Sequence, residues 1–406
     1  MNILLLTQVV PYPPDSGPKI KTYNVLRYLA RRHAVHLVSF ARSADEEARA
    51  AALHPFCAGI TTVRLVRSRW RDARALLTSV LSDRPFLIER DASAAMRAHL
   101  RALCARERFD AVHADQLSMA QFALDLPVPL RVLDEHNAVW TIVQRAAGRL
   151  PPGLRLLADQ EWRRLRRYEG MVCRRFDRLT VVSAEDRAAL EQAAGASLPV
   201  EIIPIAVDTR ALAVIPRGPD ARHVVSVATM FYPPNADGVQ WFAREVFPLV
   251  RRDVGEAHFL IVGSRPPQRI RRLARQDSGI IVTGYLADLE PVLRRAAVMV
   301  VPLHAGSGMR VKILEAFARG IPVVSTTIGV EGIDAAPGEH LLVADTPAEF
   351  ARAVTILLRD PAEAARLAQN ARQLVVDRYD WRTALAGLDR IYTDQVMAES
   401  VRGGYR

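Results

Sequence analysis

The strongest constraint on this chain is a recurring alternation. Short apolar runs rich in β-branched residues are each followed by a stretch with helical periodicity. Runs of that kind suit parallel strands covered by helices on both faces, because a sheet wetted on one side would alternate apolar and polar residues. In the first half the runs are Asn2–Thr7, Val35–Phe40, Thr61–Val66, Ala111–Ala114, Leu130–Asp134, Leu179–Ser183 and Val200–Ile203. A second series follows: His223–Ala228, His258–Gly263, Gly279–Thr283, Val298–Pro302, Ile321–Ser325 and His340–Ala344. Two such series over 406 residues exceed one typical core, so the expected fold is α/β with two Rossmann-like, doubly wound domains. The division expected is 1–205 and 206–379, with Ile205–Asp220 as the linker and a ligand cleft between the carboxyl ends of the two sheets.

The segment from Val298 to Glu331 carries the most functional information. It reads as a strand, a loop with Gly306 and Gly308, a helical stretch over Arg310–Gly320 and a second strand. Glycines allow close approach to the backbone, and a helix start offers unpaired N–H groups, so an anion is the expected ligand, most naturally a phosphate. Arg310 and Lys312 are poorly placed for the helix dipole at that end, and a bound anion would relieve them. Glu315 lies about one turn further in, within reach of a sugar hydroxyl.

The stretch G-S-G-M-R-V-K-I-L-E-A-F-A-R-G-I-P-V-V-S-T resembles the donor-binding segment of the retaining family 4 glycosyltransferases, whose two-domain architecture is the GT-B fold. The resemblance is strongest from about Val224 to Tyr392. It implies a nucleotide-diphosphate sugar donor, UDP- or GDP-linked, a glycan or lipid-linked acceptor, and transfer with retention at the anomeric carbon. Glu315 takes the ribose-binding place, while the backbone of Gly306, Ser307, Gly308 and Met309 holds phosphate and sugar. Ser307 departs from the glutamate common in the family. After the first strand of the second half the family usually carries an arginine and a lysine; this chain reads S-V-A-T-M-F-Y-P-P-N-A-D-G, and Arg310 with Lys312 are the expected replacements. Asn235 and Asp237 are expected to order that loop and cap a helix starting near Gly238. The turn T-G-Y-L resembles the base-binding turn, with Tyr285 and Leu286 at the nucleobase. The stretch from Tyr379 to Ser400 resembles the terminal helix that crosses back to the first domain.

In the first half, Ser16-Gly17 partly matches the family's acceptor-side glycine loop. His136 follows the strand L-R-V-L-D-E and takes the place of a histidine that contacts the reacting sugar; a neutral imidazole there could orient a hydroxyl or stabilise developing charge. Asp115, ending the preceding strand, is a candidate for acceptor contact, with His113 buried behind it. Lys19 and Lys21 read as a solvated helix face, and Asp134 and Glu135 point to opposite faces rather than forming a working pair.

The net charge of +11 favours anionic partners without choosing among them. The basic run Arg64–Arg74, with apolar residues interleaved, reads equally as a membrane-surface segment or a solvated face; Arg163–Arg175 reads as a solvated face. Cys57, Cys104 and Cys173 are too few and too scattered for a disulfide framework. A cytoplasmic protein, peripheral at the inner membrane face, is expected. No P-loop, H-E-x-x-H or nucleophilic triad occurs, so neither a metal, a further cofactor nor a nucleic-acid partner is expected. A nucleotide-sugar epimerase of similar architecture and a non-catalytic nucleotide-sugar-binding subunit are the competing readings.

Overall fold

A computed structural model describes residues 1–148, 150–218, 221–306 and 308–392. The chain divides into two compact units, Met1–Ala206 with Ala384–Arg406, and Val207–Thr383. The second unit runs to Thr383 because the segment before it is tied to that unit's own start. Val207 N–H donates to Tyr379, Trp381 N–H returns the bond to Val207, and the Asp380 carboxylate takes both N–H and O–H of Thr209.

Unit 1 holds a sheet of β1 (Asn2–Thr7), β2 (Ala34–Ala41), β3 (Gly59–Arg64), β4 (Ala111–Asp115), β5 (Leu130–Asp134), β6 (Arg178–Val181) and β7 (Val200–Ile202). Unit 2 holds β8 (His223–Val227), β9 (His258–Val262), β10 (Ile280–Gly284), β11 (Ala296–Val301), β12 (Val323–Ser325) and β13 (Leu342–Val343). The orders are β3-β2-β1-β4-β5-β6-β7 and β10-β9-β8-β11-β12-β13, and every pairing among the described residues is parallel. In each sheet the winding reverses once. Ile3 of β1 pairs with Val35 on one side and Ala111 on the other, while Val224 of β8 sits between Phe259 and Val298. A crevice at the carboxyl ends of the strands is expected at such a reversal.

All thirteen expected strands are present, with shifted ends. The run Ile321–Ser325 becomes a strand only at Val323, after Pro322, which has no N–H for the ladder. Each sheet has its own core. In unit 1 Leu4, Leu6, Phe40, Val112, Leu133 and Val181 interlock, and in unit 2 Phe242, Phe247, Phe259, Val298, Val300 and Phe350 do so. Burying each such side chain stabilises by roughly 1.5–3 kcal/mol. Leu385, Leu388, Ile391 and Tyr392 pack into unit 1 at 3% exposure or less. The rest of the expected terminal helix lies outside the described residues.

Candidate active site

In unit 2 the loop after β11 has Gly306 at φ 119° and Gly308 at φ 79°, conformations that exclude most L side chains. Ser307 lies outside the described residues. The helix that follows is Val311–Ala318, with Arg310 as its extended N-cap residue rather than its first helical one. Arg310 bends back over the loop: its Nη1 donates to the Gly308 carbonyl at 2.6 Å. Met309 turns inward and is 7% exposed, so only its backbone is available to a ligand.

Lys312 is half-buried and its Nζ donates to Asn235 Oδ1 at 3.0 Å; Asn235 Nδ2 donates to the Thr229 carbonyl. Asn235 therefore links the loop after β8 to the helix Val311–Ala318, where the sequence predicts a capping role. The helix it belongs to starts at Pro233, not near Gly238. Gly238 lies inside it because a Cβ there would stand 2.0 Å from the Pro302 carbonyl oxygen. Asp237 pairs with Arg269 at 2.6 Å. Burial lowers the Lys312 ammonium to about 7; Arg310 adds to the effect and Glu315 opposes it. Burial raises the half-buried Glu315 carboxyl above its ordinary value, against the pull of Arg319 and Lys312. Loop amides, a helix start, Lys312 and Glu315 thus collect at the carboxyl end of β11. Tyr285 and Leu286 follow β10, with the Tyr285 ring 71% exposed.

Unit 1 carries a different kind of cluster. Gly17 is the first residue of the helix Gly17–Leu29, which also carries Lys21 and Thr22. Lys21 is no solvated cation: it is 1% exposed and its ammonium is bonded to Asp134. Thr180 Oγ1 donates to the same carboxylate at 2.5 Å. Burial alone would raise the Asp134 carboxyl, but Lys21 outweighs it, helped by His113 and His136, and holds it well below the usual carboxylate range. Asp115, 1% exposed, accepts from Thr22 Oγ1 at 3.0 Å and lies 2.9 Å from His136 Nε2. The other ring nitrogen, Nδ1, is buried and meets no hydrogen-bond partner among the described residues. His136 is 5% exposed, so it is packed at the strand end rather than standing out from it.

Asp115, Asp134 and His136 could each offer one ligand atom to a cation. Lys21 already occupies the Asp134 carboxylate as its counter-charge, which disfavours a metal there.

Three features escaped sequence reasoning. Tyr392, from the end of the described chain, reaches His113 Nδ1 at 2.7 Å, and His113 Nε2 lies 3.5 Å from Asp134. Glu169 accepts the N–H groups of Val139 and Trp140 at 2.8 and 2.9 Å, and burial raises it to about 8. Glu135, buried beside it, is pushed well above its ordinary value by burial and then by the Glu169 and Asp134 charges. Alternation along β5 separates Asp134 from Glu135, but nothing in spacing places Tyr392 or Glu169 beside them.

Residues 17–211 match the family described as Glycosyltransferase Family 4, and residues 221–360 match Glycosyl transferases group 1. An uncharacterized 44.6 kDa protein in the cps region of Klebsiella pneumoniae is 24% identical over 173 residues, 41% of this chain and 45% of that protein. Glycogen synthase of Mycobacterium tuberculosis is 35% identical over 108 residues, 26% of each. The chain thus spans less than half the length of these curated relatives. Among solved structures, sucrose-phosphate synthase from Thermosynechococcus elongatus superposes with a TM-score of 0.69 at 18% identity, covering 98% of this chain and 100% of that one. Anabaena HepE in complex with UDP and glucose gives 0.65 at 14% identity, covering 99% and 100%. The fold is GT-B, and with both of its halves matched the chain belongs to the family 4, group 1 glycosyltransferases.

Proposed function

We propose that this protein transfers a hexose from a UDP- or GDP-linked donor to a hydroxyl of a glycan or lipid-linked acceptor, with retention at the anomeric carbon, in polysaccharide assembly. One observation carries the reading: a loop with two positive-φ glycines runs into a helix that presents Lys312 and Glu315 on its first turns. Backbone amides and Lys312 neutralise the departing diphosphate, which is where charge develops. Glu315 binds the ribose hydroxyls. In unit 1, Asp115 holds the His136 imidazole in one orientation for its part in the transfer.

The test is turnover with a panel of nucleotide-sugars, with and without glycan and lipid-linked acceptors, and the anomeric configuration of the product read by NMR. Acceptor-dependent release of nucleoside diphosphate supports the reading. Donor epimerised without acceptor would mean an epimerase, and donor bound but unchanged would mean a binding subunit. His136→Ala should lower kcat about 100-fold while donor affinity holds, as expected of a contact made mainly in the transition state.

The acceptor side includes an anionic membrane surface in this proposal. The helix Arg69–Ser82 is inverted: it buries Ala75 and Ser79 and leaves Trp70, Leu77 and Leu81 at 87%, 62% and 79% exposure. Surface helices ordinarily do the reverse. Exposed Arg69 and Arg74 stand among these apolar side chains, the charge complement of acidic headgroups. Asp83, which ends that helix, pairs with Arg164 and Arg167 of the helix Pro152–Cys173, where Leu154, Leu156 and Leu157 are also exposed. No helix among the described residues is long and apolar enough to cross a membrane. Co-sedimentation should occur with phosphatidylglycerol vesicles, not with phosphatidylcholine alone, and be lost in Trp70→Ser/Leu77→Ser/Leu81→Ser. A dimer in solution that the same triple variant dissolves would assign the face to a second copy instead.

A further inference from the structure

We propose that Arg265 supplies the phosphate-binding cation that the loop after β8 lacks; the proposal rests on the donor site described above. Arg265 lies in the loop Gly263-Ser264-Arg265-Pro266-Pro267, directly after β9. The strand order places the carboxyl end of β9 between those of β10, which carries Tyr285, and β8, next to β11 and its glycine loop. Strands in a sheet stand about 4.8 Å apart, so Arg265 leaves the sheet about 10 Å from the glycine loop, on the line joining the proposed base and diphosphate positions.

Three observations point to a ligand there. Arg265 has φ 49°, a left-handed conformation that a long side chain adopts at a cost, and it does so directly before a proline; such strain tends to be kept where a side chain must be aimed. Its guanidinium stands 4.4 Å over the Phe231 ring, and Phe231, in the loop after β8, is 54% exposed. A guanidinium seated over an aromatic face leaves N–H groups available for contact with phosphate. Finally, three other arginines of unit 2 are neutralised locally: Arg251 by Asp277 at 2.5 Å, Arg269 by Asp237 at 2.6 Å and Arg294 by Glu290 at 2.6 Å. Among the described residues Arg265 meets the Phe231 ring and no carboxylate.

The loop that bears Phe231 is already joined to the donor helix. Lys312 bonds Asn235, and Asn235 bonds the carbonyl of Thr229, two residues before Phe231. Arg265, Phe231, Asn235 and Lys312 therefore form a continuous rim, in which Lys312 is drawn down towards neutrality by burial and Arg265 is exposed at the surface.

The experiment is calorimetric titration of UDP, GDP, uridine and guanosine into the wild-type chain and Arg265→Gly, Arg265→Lys and Phe231→Ala variants. Glycine suits φ 49°, so the first variant loses the side chain without loss of fold. We expect the nucleoside diphosphate bound by the wild type to lose roughly 10- to 100-fold in affinity in Arg265→Gly, with its nucleoside unchanged within about twofold. Arg265→Lys should fall between the two, because it keeps the charge and loses the fork. Phe231→Ala should weaken the diphosphate in the same direction by removing the platform. Undiminished diphosphate affinity in Arg265→Gly, or equal losses for nucleoside and diphosphate, would overturn the proposal while leaving the donor site standing. Failure of the wild type to bind either diphosphate would overturn both.

Discussion

At the carboxyl end of β5, Lys21 is 1% exposed and faces an ionised carboxylate. Beyond the carboxyl end of β11, Lys312 is half-buried and faces the neutral amide of Asn235. Each lysine sits on the helix after a strand next to the winding reversal of its own doubly wound sheet. In unit 1 the buried carboxylates are partnered inside the protein, with Lys21, Thr180 and His113 around Asp134 and with Thr22 and His136 on Asp115. In unit 2 the donor helix brings Lys312 beside Arg310 with partial compensation by Glu315, leaving a demand for negative charge. A charge satisfied internally fixes the shape of a site, whereas one left in deficit is available to a ligand. Substitutions of the two lysines should therefore separate, Lys21 changes appearing in stability and Lys312 changes in affinity.

The largest effect is expected from Lys21→Met. It leaves Asp134 buried without its cation, a loss of about 3–5 kcal/mol. For a unit of this size that lowers Tm by on the order of 10 °C. Scanning calorimetry should show the shift in one of two transitions, and adding Asp134→Asn should restore part of it. A Tm unchanged by Lys21→Met would mean that Asp134 is neutral, and the contrast drawn between the two lysines would fail.

Much of this contrast was hidden in the sequence, for reasons that differ by residue. The thirteen strands were legible because burial on both faces writes itself as continuous apolar runs, and the glycine loop because Gly306 and Gly308 frame a turn between strand and helix. Lys21 was misread. In K-I-K-T-Y a lysine two positions from another looks like a wet face, and only the packing of its helix over β5 reveals Asp134 as the partner, 113 residues away. Tyr392 meets His113 across 279 residues, a pairing that no local pattern encodes. N-A-D-G reads as a helix cap, but the two prolines Pro233 and Pro234 already suit a helix start, and Asn235 is freed to bridge the loop after β8 and the helix that carries Lys312. Arg265 left a trace as an arginine between a strand-end glycine and two prolines, but its meaning depends on the strand order that sets it beside Phe231.

A smaller effect is expected in unit 2 from Glu315→Gln. The glutamine keeps the shape and loses the charge-assisted acceptor for ribose, a loss of about 1.5–3 kcal/mol, or roughly 10- to 100-fold in donor affinity. Removing a half-buried carboxyl that burial already penalises should leave Tm level or slightly raised. Calorimetric titration and thermal unfolding on one sample would check both halves. A large fall in Tm with donor affinity intact would turn Glu315 into a structural residue and make the two units alike.

The smallest effect, and the one that most sharpens the comparison, is the pH dependence set by Lys312. In the unliganded protein its ammonium titrates at about 7, below the ordinary lysine value of 10.5, because burial and then Arg310 disfavour the charge. Folding therefore releases a proton between those two values, and the sign follows: the unfolded chain binds more protons there, so this group makes unit 2 more stable as pH rises from about 7. Donor binding has the opposite sign. A diphosphate beside Lys312 favours the ammonium and raises its pKa, so the complex holds a proton that the unliganded protein has lost. Affinity for an intact nucleotide-sugar, whose esterified diphosphate does not titrate in this range, should be highest below pH 7 and fall as pH rises towards the raised value, by at most about tenfold per pH unit. Titrations in buffers of different ionisation enthalpy should register uptake of up to one proton near pH 8. Lys312→Met should abolish both the uptake and the slope, while Lys21→Met, whose partner is already inside the protein, should leave them as they are. If affinity were flat with pH in the wild type, Lys312 would be neutral in the complex, and the phosphate charge would have to be met by the loop amides, Arg310 and Arg265.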